Sequence, residues 1–307
     1  MIRPHSRAGA EEGLIKPQNP EPAESTDKVL VGDFEVALIR HSIHWWDGGT
    51  YFGVVPKALW GQRIQADEMN RIPCGFNCYL IRTGEHTILV ETGGGDKQDE
   101  RARERMKLSP EALEPLPDAM GRRGIDPESV DIVINSHLHW DHCGWNTILR
   151  GGAAKAAFPR ARYFAARGEW EHAHERLARD AVSYIDANYD PLVESGQMTL
   201  VDGDCEIVPG VWMRRAPGHN RDMMVITAES GGRTFCFFSD LVPTRHHVQP
   251  TWVMAFDLYP LESIENKHRW LSAAVKGDWV CGFSHDSEVA FARIAAHPKT
   301  QFAPVVL

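Results

Sequence analysis

The segment His137-Leu138-His139-Trp140-Asp141-His142 constrains this chain more than any other stretch. It follows directly on Asp131–Asn135, a short apolar run that reads as a buried strand. At an extended strand end, residues i, i+2 and i+4 point to one side, so His137, His139 and Asp141 can converge on one point. His142 is offset by one and faces elsewhere unless the chain turns. Such an arrangement suits two adjacent metal positions better than one. Imidazole and carboxylate together suit Zn²⁺, Mn²⁺ or Fe²⁺. The plain alternative is a polar loop with surface histidines. Three histidines and an aspartate in six residues, directly after a buried strand, argue against it.

The rest of the chain must supply a scaffold and further ligands. It has 307 residues, 43% hydrophobic and 24% charged, which is ample for a buried core. Phe34–Ile39, Cys78–Ile81 and Thr87–Glu91 read as strands, the last ending in Gly93-Gly94-Gly95. A helix is expected from Ser109-Pro110-Glu111 to near Gly124, and another over Gly168–Arg179. Further strands are expected at Arg162–Ala165, Met198–Val201, Val211–Arg215, Met223–Thr227, Thr234–Phe238 and Trp279–Phe283, with a helix over Ile264–Val275. Strands interleaved with helices give an α/β class with a sheet-rich core. Residues 1–28 hold Pro17, Pro20 and Pro22 and few large apolar side chains, and read as a flexible tail ahead of one domain over 29–307.

Composition excludes several partners. The formal charge of −9 does not fit a bulk basic nucleic-acid surface. No run approaches the roughly 20 apolar residues that span a bilayer. Met1 to Lys28 shows no secretory h-region, so a cytoplasmic chain with reduced thiols is expected. Cys74 and Cys78 lack two further ligands at matching spacing and read as structural thiols.

Three later segments each put one ligand-type residue just past an apolar run: Ala216-Pro217-Gly218-His219, Ser239-Asp240 and Ser284-His285. Each alone is weak, since a lone histidine after a strand is more often a surface or supporting residue. Together they complete a set of five histidines and two aspartates. This pattern resembles the metallo-β-lactamase-fold hydrolase superfamily, over about Phe34 to Phe283. The resemblance implies a four-layer αββα sandwich with two divalent metal ions at the edge between two sheets. Zn²⁺ is favoured, with Mn²⁺, Co²⁺ or Fe²⁺ as alternatives. It further implies one ion on His137, His139 and His219, the other on Asp141, His142 and His285, and Asp240 bridging them. The family turn Asp-Thr-Gly is here Glu91-Thr92-Gly93, so the supporting carboxylate Glu91 is a methylene longer.

Metal coordination lowers the pKa of water to about 7, which yields a nucleophile for an ester-like bond at neutral pH. A metal-bridging hydroxide attacking the bond is the expected chemistry, with Asp141 shuttling the proton toward the leaving group. Asp240 in place of a cysteine argues against the commonest β-lactamase pattern, and the short spacing from His219 to His285 argues against the nucleases. Asp47–Trp60 and Asp240–Pro260 are similar to the quorum-quenching lactonase branch. That similarity implies opening of N-acyl-homoserine lactones or related lactones. A phosphotriesterase or arylesterase on the same scaffold is the alternative, and a non-catalytic metal-binding or sensing module a distant one. The aromatic stretch containing Tyr51, Phe52 and Trp60 could line an apolar acyl pocket, or could be core or a homodimer contact. No tyrosine follows Asp240 closely, and His247 is the candidate to take such a place beside the substrate.

Overall fold

The structure, a computed structural model, describes residues 27–307, apart from the side chains of Pro110 and Glu111. The tail expected over 1–28 therefore lies outside the described residues, save its last two. Asp27 accepts a hydrogen bond from the Leu38 N–H, and Lys28 opens the first strand, so these two belong to the sheet and not to a tail.

Two seven-stranded sheets form the body. The first begins as an antiparallel meander: β1 (Lys28–Val31), β2 (Phe34–Asp47), β3 (Arg71–Arg82) and β4 (Thr87–Val90). It continues in parallel through β5 (Ile132–Ile134). A small hairpin, β6 (Thr147–Arg150) and β7 (Ala153–Ala156), stands apart. The first sheet then closes with β8 (Arg162–Ala166) and β9 (Met198–Val201), again parallel. The second sheet runs in chain order: β10 (Cys205–Val208), β11 (Val211–Arg215), β12 (Met224–Ser230), β13 (Arg233–Phe237), β14 (Val280–Gly282), β15 (Ala292–His297) and β16 (Gln301–Val306). Only its β13–β14 pair is parallel.

The two-residue period of a strand explains how these sheets stack. In β3, Tyr79 and Ile81 enter the core between the sheets, while Cys78 and Leu80 face the opposite way. β4 and β5 repeat the pattern: Ile88, Val90, Ile132 and Ile134 point inward, Leu89 and Val133 outward. From the other sheet, Met213, Ile226, Phe235 and Phe237 meet them. Burying each such side chain contributes about 1.5–3 kcal/mol, so this shared layer is the main cohesive term.

Helices cover both outer faces. On the first sheet lie α4 and α6, among the helices α1 (Gly48–Phe52), α2 (Lys57–Trp60), α3 (Glu100–Arg105), α4 (Leu116–Arg122), α5 (Trp140–Cys143), α6 (Arg167–Glu175) and α7 (Asp190–Glu194). Leu116, Met120, Ala173 and Leu192 pack there with Leu80 and Val133. On the second sheet lies α8 (Pro260–Gly277), whose buried Ser263, Asn266, Lys267, Trp270, Leu271 and Ala274 follow helical spacing. The result is the αββα sandwich that the resemblance implies.

Some local expectations fail for identifiable reasons. The helix expected over Ser109–Gly124 breaks into a 3₁₀ turn, Pro110–Leu113, and α4. Pro115 and Pro117 lack the N–H groups a continuous helix would need. The helix expected over Gly168–Arg179 stops at Glu175, because Arg176 turns left-handed at φ 44°. All six cysteines are free thiols, as expected. No helix among the described residues is long and apolar enough to cross a membrane.

Candidate metal centre

Every sequence-predicted ligand lies past the C-terminal end of a sheet strand. His137 and His139 follow β5, His219 follows β11, Asp240 follows β13 and His285 follows β14. Two connecting residues hold unusual backbone. Glu91, just after β4, has φ 62°, and Ser239, just before Asp240, has φ 50°. Such conformations cost on the order of 1–3 kcal/mol each and persist where the surroundings enforce them. The glycine turn after Glu91 is needed for close approach: a Cβ on Gly95 would lie 2.5 Å from the backbone of Gly144.

The route by which Asp141 and His142 arrive differs from the extended-strand expectation. The chain turns at Trp140 into α5, and the His142 N–H bonds to the His139 carbonyl at 3.0 Å. The helical turn thus brings both neighbours to the cluster, where a strand would have set them on opposite faces. His142 joins His137 and Asp240, while Asp141 joins His285. One further histidine enters here that sequence reasoning missed. His44, on β2, stands with Asp141 and His285, its ring stacked on Phe76 at 4.3 Å.

The donor atoms meet at short range. His139 Nδ1 and His219 Nε2 are 3.1 Å apart, and His142 Nε2 and His285 Nε2 are 3.2 Å apart. Asp240 spans both sets: Oδ1 lies 3.3 Å from His142 Nε2 and 3.2 Å from His285 Nε2, and Oδ2 lies 3.5 Å from His219 Nε2. Asp141 Oδ2 is 3.6 Å from His285 Nε2.

The far sides of the rings fix which nitrogens face inward. His219 Nδ1 donates to Asp257 Oδ1 at 3.1 Å, and His285 Nδ1 donates to the Gly75 carbonyl at 2.9 Å. Their Nε2 lone pairs therefore point into the cluster. His137 Nδ1 shares a hydrogen bond with Ser136 Oγ at 2.9 Å, leaving its buried Nε2 without a partner. Glu91 lies behind His142, with Oε1 3.7 Å from Nδ1 and accepting from the Ser136 N–H at 3.0 Å. It lies at ion-pair range from the His142 ring but does not hydrogen-bond it.

These residues fit a cation. Lone pairs facing one another at 3.1–3.5 Å repel unless something positive lies between them. In a tetrahedral site with bonds of about 2.0 Å, ligand atoms are about 3.3 Å apart, which matches these spacings. Burial pulls His137 and His139 well below the usual imidazole range, so both stay in the neutral, ligating form. Burial depresses His142 too, but Asp240 and Asp141 outweigh it and hold its pKa well above that range. The carboxylates draw positive charge inward, and a dication would supply it.

A cavity of about 360 Å³ opens onto the cluster, lined by His139, Asp141, His219 and Asp240 at its base. Trp46, Tyr51, Met254 and Phe256 form an apolar wall. Tyr51 lines this cavity, and burial pushes its phenol pKa well above 10, so it remains protonated. Phe52, Trp60 and His247 do not line this cavity, and the expectation that they would is corrected. They are buried in a stack behind it: Phe52 lies on Trp60 at 5.1 Å and on His247 at 4.7 Å. His247 Nε2 donates to the Tyr51 carbonyl at 2.9 Å, so it supports the wall from behind and does not face a substrate. Beside His139, Tyr184 packs its ring at 4.8 Å and donates to Glu169 at 2.9 Å. Burial pushes the Glu169 carboxyl up to about 7.

Comparison with known proteins agrees with this geometry. An N-acyl homoserine lactonase from a Bacillus species is 29% identical over 168 residues, which is 50% of this chain and 59% of that protein. The N-acyl homoserine lactonase AiiA of Bacillus thuringiensis subsp. kurstaki is 27% identical over the same length. The chain thus spans 59% of the length of the curated relatives it matches. Among solved structures, a probable metal-dependent hydrolase from Staphylococcus aureus superposes with a TM-score of 0.82 at 27% identity, over 91% of this chain and 99% of its own. AidC, a dizinc quorum-quenching lactonase, shares the fold at a TM-score of 0.73 and 18% identity, over 91% and 96%. Residues 71–285 match the metallo-beta-lactamase superfamily, and with the sandwich and the His/Asp cluster in agreement, the chain belongs to that superfamily and has the build of a metal-dependent hydrolase.

Proposed function

We propose that this chain is a dinuclear metal-dependent hydrolase that opens N-acyl-homoserine lactones or related lactones. The observation that supports this reading most is the cavity itself: an apolar wall of Trp46, Tyr51, Met254 and Phe256 runs directly onto the ligand cluster bridged by Asp240. In this reading His137, His139 and His219 hold one ion, and Asp141, His142 and His285 hold the other. The relatives' names point to the same substrate class.

Bound divalent ions, with Zn²⁺ favoured, supply Lewis acidity and an acidified water. The protein's own groups do the rest. The apolar wall takes the acyl chain and excludes water. Asp141 is the least buried of the ligand set, with 19% of its side chain exposed, and lies in the cavity beside His285. It is the group positioned to accept a proton and return it to the leaving alkoxide. The protonated Tyr51 phenol adds a donor on the wall. Asp257, Gly75 and Ser136 hold the ligand rings in orientation through their far nitrogens.

The test is a substrate panel on protein reconstituted with Zn²⁺, Mn²⁺ or Co²⁺. N-acyl-homoserine lactones should give kcat/KM values at least ten times those for thioesters and for paraoxon. A preparation that turns over paraoxon or aryl esters better than every lactone would favour the phosphotriesterase or arylesterase reading. Full activity after metal stripping would refute the metal-dependent mechanism.

A further inference from the structure

His44 lies at the edge of the ligand cluster, and the hydrolytic chemistry above gives it no role. It is 1% exposed, as deeply buried as His142 and His285 at 1% each. Other rings hold it: it stacks on Phe76 at 4.3 Å and meets the edges of Trp46 and Trp140, each at 6.3 Å. Its Nδ1 is buried and has no hydrogen-bond partner among the described residues. A buried polar atom left unpaired costs about 1–3 kcal/mol, so stacking alone does not account for a nitrogen-bearing ring here.

Strand pairing explains where the ring sits. The register of β2 on β3 shifts between Arg40 and Ile43, and bulges of this kind re-aim the side chains that follow. His44 then pairs with Cys74, next to Gly75. Gly75 grips His285 twice: its N–H bonds to the His285 carbonyl at 3.0 Å, and its own carbonyl accepts from His285 Nδ1 at 2.9 Å. Through β3, His44 is therefore fixed against His285, with ring centroids 5.8 Å apart. A ring nitrogen of His44, a carboxylate oxygen of Asp141 and a ring nitrogen of His285 all lie within 4.8 Å of one another. Donors opposite each other on an ion bound at about 2.1 Å are about 4.2 Å apart, so this set closes on one ion with little movement.

We propose that His44 is a further metal ligand on the mixed side of the cluster, acting with Asp141, His142 and His285. This rests on the dinuclear reading above, and His44 lies outside the seven ligand-type residues of the superfamily pattern. With Asp240 it gives the mixed side five protein donors, one more than a tetrahedral zinc site takes.

Two measurements on the full chain test this. The first is metal content and affinity, read by competition with a chelator and with Zn²⁺ alone as the probe. The wild type should hold two ions per chain. His44→Phe keeps a ring to stack on Phe76 and removes both nitrogens. It should retain one ion at unchanged affinity and weaken the other by about a hundredfold, since loss of a supporting partner alone costs about 10–100-fold. The second measurement needs no variant. The Co²⁺-loaded wild type should show hyperfine-shifted imidazole protons from six histidines, which are His44 and the five of the superfamily pattern. Signals from those five alone would overturn the assignment. So would a folded His44→Phe protein that keeps both ions at wild-type affinity. If the wild type holds only one ion, the dinuclear reading fails; the assignment of His44 then stands if His44→Phe weakens that ion and falls if it does not. Failure to open any lactone would remove the lactonase reading and leave both metal measurements decisive for His44.

Discussion

The two halves of the ligand cluster are built from different materials. His137, His139 and His219 form a set of imidazoles that is almost wholly buried. Two of them are anchored at the far nitrogen, by Ser136 and by the Asp257 carboxylate. Asp141, His142 and His285 form a mixed set in which one member is partly exposed and in the substrate cavity. There His142 is backed by Glu91 at 3.7 Å, which is too long for a hydrogen bond. Asp240 reaches both sets with separate oxygens. The difference assigns them different duties. Under the proposed dinuclear reading, the all-histidine set would retain an ion more firmly, while the mixed set, anchored at His285 by the Gly75 carbonyl, would contribute the group that exchanges a proton.

The largest expected effect removes the distinction altogether. Asp240→Ala should abolish binding in both halves, with metal analysis falling below about one ion per chain and kcat/KM falling by about a thousandfold or more. His285→Ala should instead leave about one ion, retained by the histidine set. If His285→Ala and His137→Ala lost the same number of ions, the asymmetry would be wrong.

A smaller effect compares the supports. Asp257→Ala removes a hydrogen-bonded anchor and should weaken metal affinity about 10–100-fold. Glu91→Gln removes only a contact at ion-pair range and should cost less, read by competition with a chelator. The reverse ranking would mean that the longer glutamate supports its ring through a geometry other than the one described.

Behind the wall, Phe52→Ala should lower stability by about 3–5 kcal/mol in denaturant unfolding, because it empties the middle of a buried stack. Acyl-chain preference should stay constant among the molecules that remain folded. Trp46→Ala should do the opposite, shifting chain-length preference several-fold with a modest stability change.

A last expected effect is on pH dependence. Lys267, buried on α8, donates to the Trp252 carbonyl at the start of the loop bearing Asp257. Burial pulls its pKa down to about 7. Between that value and its ordinary range the unfolded chain holds a proton that the folded chain lacks, so stability rises with pH there, by up to about 1.4 kcal/mol per unit. Below pH 7 the buried charge is present and the penalty is full. Lys267→Met should flatten this slope in denaturation midpoints measured from pH 7 to 10.

Much of this molecule was legible in its sequence. The six-residue motif and three strand-end residues located all seven ligand-type side chains, because each followed a short apolar run that had no other place than a sheet. What was not legible depended on neighbours distant in sequence. His44 joins through a strand that pairs with β3, and nothing local marks it as facing the cluster. Phe52, Trp60 and His247 have the composition of a pocket, yet they stack on one another because α1 and α2 fold back under the wall. β15 and β16 were missed because neither run is continuously apolar: β15 carries Arg293 and His297, and β16 opens on Gln301. β16 even holds Pro304, which is tolerable only because it is an edge strand.

The ligands' dispersal along the chain has a consequence for assembly. His139 and His219 are 80 residues apart, and His142 and His285 are 143 apart. Contacts of such separation form late, after the loops between them have paid their closure entropy. The second half of the cluster cannot exist until β14 has been threaded beside β13. Ion uptake in a refolding experiment should therefore be biphasic, and its slower phase should time the placing of β14 beside β13.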